Sequence, residues 1–123
     1  MKPQELRIGN LVNYNGKVVR VEQITKHKIG YHTKPNETRL NYARLCEVEP
    51  IPITEEMLLK CGFDEPCDGV YEYNYGVFEV TKEQEKWWVT WNGGADFWFE
   101  IKHLHQLQNA YYLAIGKELE IDL

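Results

Sequence analysis

The 123-residue sequence predicts an α+β fold: a β-rich first half, then an antiparallel meander sheet with one C-terminal helix. Three observations predict it. Short alternations of apolar and polar residues recur through residues 1–50, separated by turn signals. Pro50-Ile51-Pro52 then interrupts the pattern, because proline has no N–H to give to a ladder. Further alternating runs follow, and they lead into a stretch of helical period that stops at Gly116.

In the first half, Leu6 to Tyr14 alternates apart from the Leu11-Val12 pair. Asn15-Gly16 follows, a pair that takes the left-handed angles of a two-residue hairpin turn and so matches the twist of its strands. Lys17 to Ile24 is rich in β-branched residues, with Val19, Val21 and Ile24 set inward and Arg20 and Glu22 outward. Lys28 to Thr33 reads as a third strand and Lys34-Pro35-Asn36-Glu37 as a turn. Thr38 to Tyr42 is a fourth strand, and Leu45 to Glu49 a short edge strand. Five short strands in residues 1–50 fit a small SH3-like barrel.

Residues 51–123 open with a helix. Thr54 is its N-cap, Glu55 and Glu56 sit where the dipole favours negative charge, and Ile53 and Leu58 are spaced as a hydrophobic staple. Gly62 ends it and lets Phe63 pack back. Two turns are not stable alone, so Met57, Leu58, Cys61 and Phe63 are expected to be buried. Asp64 to Gly69 reads as a loop. Val70–Tyr75, Val77–Thr81, Lys86–Trp91 and Ala95–Ile101 read as four strands of a meander. His103 to Ile115 is a helix with Leu104, Leu107, Tyr111, Ala114 and Ile115 on one stripe, and Glu118 to Leu123 alternates like a last strand. The two halves, 1–50 and 51–123, are expected to pack as one unit.

Composition excludes several classes. The chain is 43% hydrophobic, yet no apolar run approaches the ~20 residues of a membrane helix. Met1 to Glu5 lacks the apolar run of a signal peptide, and three cysteines without a Cys-x-x-Cys pair argue against a disulfide framework. A cytoplasmic location without membrane contact is expected. Charge is uneven: residues 1–50 carry nine basic and five acidic groups, whereas residues 51–123 carry five lysines and fourteen acids.

Catalytic signatures are missing from the sequence. It contains no serine, no P-loop and no G-x-G-x-x-G fingerprint. Cys61 and Cys67 do not have a recognised zinc-ligand spacing. His103 and His105 would share a side on a strand but diverge by about 200° on a helix, and they sit at the junction of the two. No catalytic residue, metal ligand or cofactor is therefore assigned. A small metal-dependent or other enzyme is the reading with least support.

Surface chemistry offers more. Trp87, Val89 and Trp91 share one strand face with Trp88 opposite, and Phe97, Phe99 and Ile101 share a face with Trp98 opposite. One helix covers only one face of a sheet, so the remaining large rings call for another cover. Trp87, Trp88, Trp91 and Trp98 are the candidate partner interface, toward a second copy of the chain or another protein. An alternative is nucleic acid. Lys17, Arg20, Lys26, Lys28, Arg39 and Arg44, together with Tyr31, combine cations for phosphate with a ring for base stacking.

Leu6-Arg7-Ile8-Gly9-Asn10-Leu11-Val12, the run from Pro50 to Phe63, and His105 to Tyr112 with Gly116 to Leu119 cover about a third of the chain. In that order they resemble an uncharacterised family of short proteins from gut-bacterial genomes and their phages and prophages. The resemblance implies a phage or mobile-element origin and a cytoplasmic life, and it brings no activity and no catalytic residue. It flags one patch, the polar helix face of His105, Gln106, Gln108 and Asn109. The expected function is a non-enzymatic binding or assembly module.

Overall fold

The computed structural model describes residues 1–73, 76–92 and 97–121. It is α+β, with eleven strands in three antiparallel sheets and two α-helices among the described residues. The chain divides into two compact units, Met1–Ile51 and Pro52–Leu123.

In the first unit, β1 (Leu11–Tyr14) pairs with β2 (Lys17–Arg20) across Asn15-Gly16, whose φ angles are 51° and 75°. Both residues are left-handed, as a tight hairpin turn of this length requires. The chain then bends. Val21 N–H donates back to Asn10 O at 2.8 Å, whereas Glu22 N–H donates to Gly30 O at 2.8 Å. One run of residues thereby leaves the first sheet and enters a second, formed by β3 (Gln23–Ile24), β4 (Lys28–Tyr31) and β5 (Asn41–Arg44). A 3₁₀ turn, Leu45–Glu47, leads to β6 (Val48–Glu49), which returns to pair with β1. Val12, Val21 and Ile29 are fully buried between these strands, with Ala43, Leu45 and Val48 around them.

The SH3-like expectation is corrected on one point: the strands form two three-stranded sheets and not a closed barrel. β5 and β6 are joined by the 3₁₀ turn Leu45–Glu47 and belong to different sheets, β6 being only two residues long.

The second unit begins with α1 (Glu55–Lys60), capped as expected by Thr54, whose Oγ1 accepts from Met57 N–H at 3.2 Å. Leu58, Cys61 and Phe63 are buried. The sheet that follows has the order β11-β10-β9-β8-β7. These strands are β7 (Asp64–Cys67), β8 (Val70–Tyr73), β9 (Phe78–Glu83), β10 (Lys86–Trp91) and β11 (Phe99–Ile101). β7 replaces the loop expected over Asp64 to Gly69. Pro66 is tolerated there because β7 is an edge strand, where a missing N–H costs no ladder bond. Its hairpin needs Gly69: φ is +80°, and a Cβ would stand 3.3 Å from Lys82 O.

α2 (Leu104–Ile115) starts after His103 and ends at Gly116. Gln106 Oε1 caps its start, accepting from Lys102 N–H at 2.7 Å and His103 N–H at 3.0 Å. Beyond it, Glu118 to Ile121 forms no strand, so the final strand expected over Glu118 to Leu123 is corrected over its described part. Asp122 and Leu123 lie outside the described residues, as do Tyr75 and Ala95 of the expected strand ends. Among the described residues, no helix is long and apolar enough to cross a membrane.

Candidate functional site

Strand register decides which rings meet which cover. Trp91 lies opposite Phe78, Val89 opposite Val80 and Phe99, and Trp87 opposite Ile101. All of these therefore share one face of the sheet. Its inner part is roofed by α2 and by the segment after α1. Tyr111 meets Phe78 and Tyr73 edge-on, each at 5.3 Å, and Phe63 meets Phe78 at 6.1 Å. Tyr71 and Tyr111 are pushed up to about 12, in each case first by burial. Nearby carboxylates, Glu55 and Glu65, add to the effect at Tyr71, and Tyr73 adds to it at Tyr111.

Toward β11 the cover runs out. Trp91, Phe97 and Phe99 form a ring cluster, with centroids 5.0 Å apart for Trp91–Phe97, 5.7 Å for Trp91–Phe99 and 5.5 Å for Phe97–Phe99. Phe99 is 52% exposed, at the edge strand of the sheet. A phenylalanine half in water forgoes much of the roughly 1.5–3 kcal/mol that its full burial would contribute.

The opposite face has a different chemistry. Trp88 lies across from Thr81 and Glu100, Thr90 from Glu79, and Glu79 from Glu72. Trp88 and Trp98 line a cavity of about 320 Å³ together with Thr81 and Glu83. Burial, and then the neighbouring Glu72 carboxylate, raise the Glu79 pKa above the ordinary carboxylate value. The fold thus favours protonated Glu79. That contribution is full below the unfolded-state pKa and is lost as pH rises through the folded-state value. Glu79→Gln is therefore expected to raise the thermal midpoint at neutral pH and to gain nothing at about pH 4, read from melts at both pH values.

The four candidate tryptophans thus separate. Trp87 is corrected: it is only 8% exposed, with Tyr71 at 5.9 Å and Lys82 Nζ 5.6 Å above its ring, so it belongs to the core. Alternation explains this, since Trp87 shares the roofed face with Val89. Trp91 belongs to the exposed ring cluster, and Trp88 and Trp98 belong to the opposite cavity.

The polar helix patch is corrected as well. His105 and Gln108 are buried, and Gln106 serves as the helix cap. Residues 104, 105, 107, 108 and 111 turn the same side inward at helical period, so the two polar side chains flank the apolar stripe instead of facing water. Asn109 is half-buried. The rings of His103 and His105 stack at 5.8 Å because His103, the N-cap, keeps an extended backbone. No group of three or more His, Cys, Asp or Glu side chains able to hold a metal occurs among the described residues. Burial pushes the Cys61 thiol up to about 11, far from a reactive thiolate.

The basic residues of the first unit do not form one tract. Lys17 and Tyr31 line a hollow of about 240 Å³ with Tyr14, His32 and Thr33, and the two tyrosine rings lie 5.8 Å apart. Lys26 and Lys28 line another hollow with Tyr42. Arg20 Nη1 donates to Gly9 O at 3.0 Å, and Arg44 Nε pairs with Glu47 at 3.1 Å. Arg39 is exposed beside His32, whose Nδ1 lies 3.2 Å from the Arg39 carbonyl.

Alternation along single strands does not reveal the carboxylates around Trp88 and Trp98. Their signal is the hairpin turn at Gln84-Glu85, with φ of 54° and 62°, which sets Glu83 opposite Lys86 and so Thr81 opposite Trp88. Compared with known protein families, curated proteins and solved structures, the chain matches none.

Proposed function

We propose that this chain is a non-enzymatic assembly module that binds a second copy of itself through the ring cluster at the β11 edge. The single observation behind this reading is the cluster of Trp91, Phe97 and Phe99, in mutual contact and only partly roofed. β11 ends the strand order, so a second copy can add both its rings and a strand edge. A two-fold arrangement would place each Phe99 against the other copy, the self-complementary geometry of a closed dimer. The cytoplasmic location and the phage or prophage origin implied by the resemblance belong to the same reading.

Sedimentation across a concentration series tests it. The native chain is expected to pass from one-chain to two-chain mass as concentration rises, and Phe99→Ser to remain at one-chain mass. One-chain mass for the native protein at every concentration would remove the proposal.

A second reading has one observation in its favour. The hollow holding Tyr14, Tyr31, Lys17 and His32 joins two rings to a cation, the combination that holds single-stranded nucleic acid. On that reading a single-stranded oligonucleotide binds, binding weakens steeply with salt, and Tyr31→Ala weakens it further.

A further inference from the structure

The cavity between Trp88 and Trp98 lies on the sheet face opposite the ring cluster, so its role is independent of the assembly reading. Two indoles, one carboxylate and one hydroxyl converge on it: Trp88, Trp98, Glu83 and Thr81. Trp98 is 43% exposed, which keeps the cavity open to solvent. An indole face attracts a cation more strongly than any other side-chain ring. Glu83, across the strand pair from Lys86, supplies carboxylate acceptors, and Thr81 supplies a hydroxyl acceptor.

We propose that this cavity receives an arginine guanidinium presented by a basic segment of a partner polypeptide. Acceptors beside the rings favour a cation that carries N–H donors over a quaternary ammonium, which has none. A planar guanidinium lies flat on indole and keeps its in-plane N–H groups for a carboxylate, whereas a lysine ammonium is more strongly hydrated and has no flat face to stack. The surroundings favour a segment of chain over a lone cation. Glu100 lies opposite Trp88, and the Glu72–Glu79–Thr90 row stands two residues farther along the same face, about 7 Å away at strand rise. Lys86 is the one lysine that β8, β9 and β10 set on that face, against Glu72, Glu79 and Glu83. A second basic residue of the same segment would meet that row.

Calorimetric titration at physiological salt with a hexa-arginine peptide tests the proposal, with hexa-lysine and tetramethylammonium as comparison probes. Hexa-arginine is expected to bind saturably and more tightly than either. Trp98→Ala and Glu83→Gln should each weaken it by about tenfold. Glu22→Gln, an exposed carboxylate of the other unit, should leave it within about twofold, as should Phe99→Ser. Thermal melts confirm that each variant is folded. Glu83 lies on the surface, so Glu83→Gln decides the question even if the tryptophan variant fails to fold. The proposal is overturned by an absence of saturable binding, by equal affinity for either comparison probe, or by an equal loss in Glu22→Gln. Loss of dimerisation in Phe99→Ser with hexa-arginine binding intact would leave it standing.

Discussion

Replacing Phe78 with alanine is expected to cost the second unit about 3–5 kcal/mol, the largest single effect in the molecule. Phe78 is fully buried on β9. Three elements converge on its ring: α2 through Tyr111 at 5.3 Å, the segment after α1 through Phe63 at 6.1 Å, and β10 through Trp91, stacked at 6.3 Å. Truncation removes the apolar area and also leaves a cavity that three separate elements would have to move to fill. Neither helix can offset the loss, since α1 has six residues and α2 twelve, both short of stability in isolation. Urea denaturation followed by far-UV circular dichroism measures the effect. A midpoint shift worth less than about 1 kcal/mol would show that Phe78 is not the keystone of this unit. Because Trp91 stacks on Phe78, the same variant is expected to disturb the ring cluster and weaken self-association.

Asn10→Ala is expected to destabilise the first unit by about 1–3 kcal/mol. Asn10 is polar yet fully buried, at the point where the chain turns into β1. Its side-chain Oδ1 accepts from Arg7 N–H at 2.7 Å, and its own N–H donates to Arg7 O at 3.0 Å, closing the turn from both directions. Its carbonyl accepts from Val21 N–H at 2.8 Å, and Val21 O in turn accepts from Gly9 N–H at 2.8 Å. Asn10 thus fixes the strand start beside the residue where the neighbouring chain crosses between sheets. Alanine keeps the backbone bonds but removes the Oδ1 that accepts from Arg7 N–H, and loss of a part-buried hydrogen bond at this turn costs stability. Differential scanning calorimetry reads the outcome. A midpoint equal to that of the native protein would mean that water replaces the lost acceptor at no cost.

The features legible in the sequence are those that short stretches of chain decide by themselves. The Asn15-Gly16 hairpin, the Thr54 cap and the β10 limits at Lys86 and Trp91 follow from turn chemistry and alternation over a few residues. The elements misread are those where long-range pairing overrides local preference. Asp64 to Cys67 carries loop residues, but an edge position beside β8 makes it a strand. Glu118 to Ile121 alternates but finds no strand to pair with. His105 and Gln108 read as part of a polar helix face, yet both are buried, because polarity alone does not reveal which side a helix turns inward.

Local sequence is enough for the α+β class, the Asn15-Gly16 hairpin, the helix ends and the alternation of rings along β10, since each depends on the period and stereochemistry of neighbouring residues. Long-range packing places Trp87 in the core, joins Trp91 to Phe97 and Phe99 at an open edge, and brings Trp88 and Trp98 to one cavity with Glu83. Register makes the difference. A one-residue shift between strands exchanges the two faces of a sheet, and register is set by turns and by the packing of helices far away in the chain.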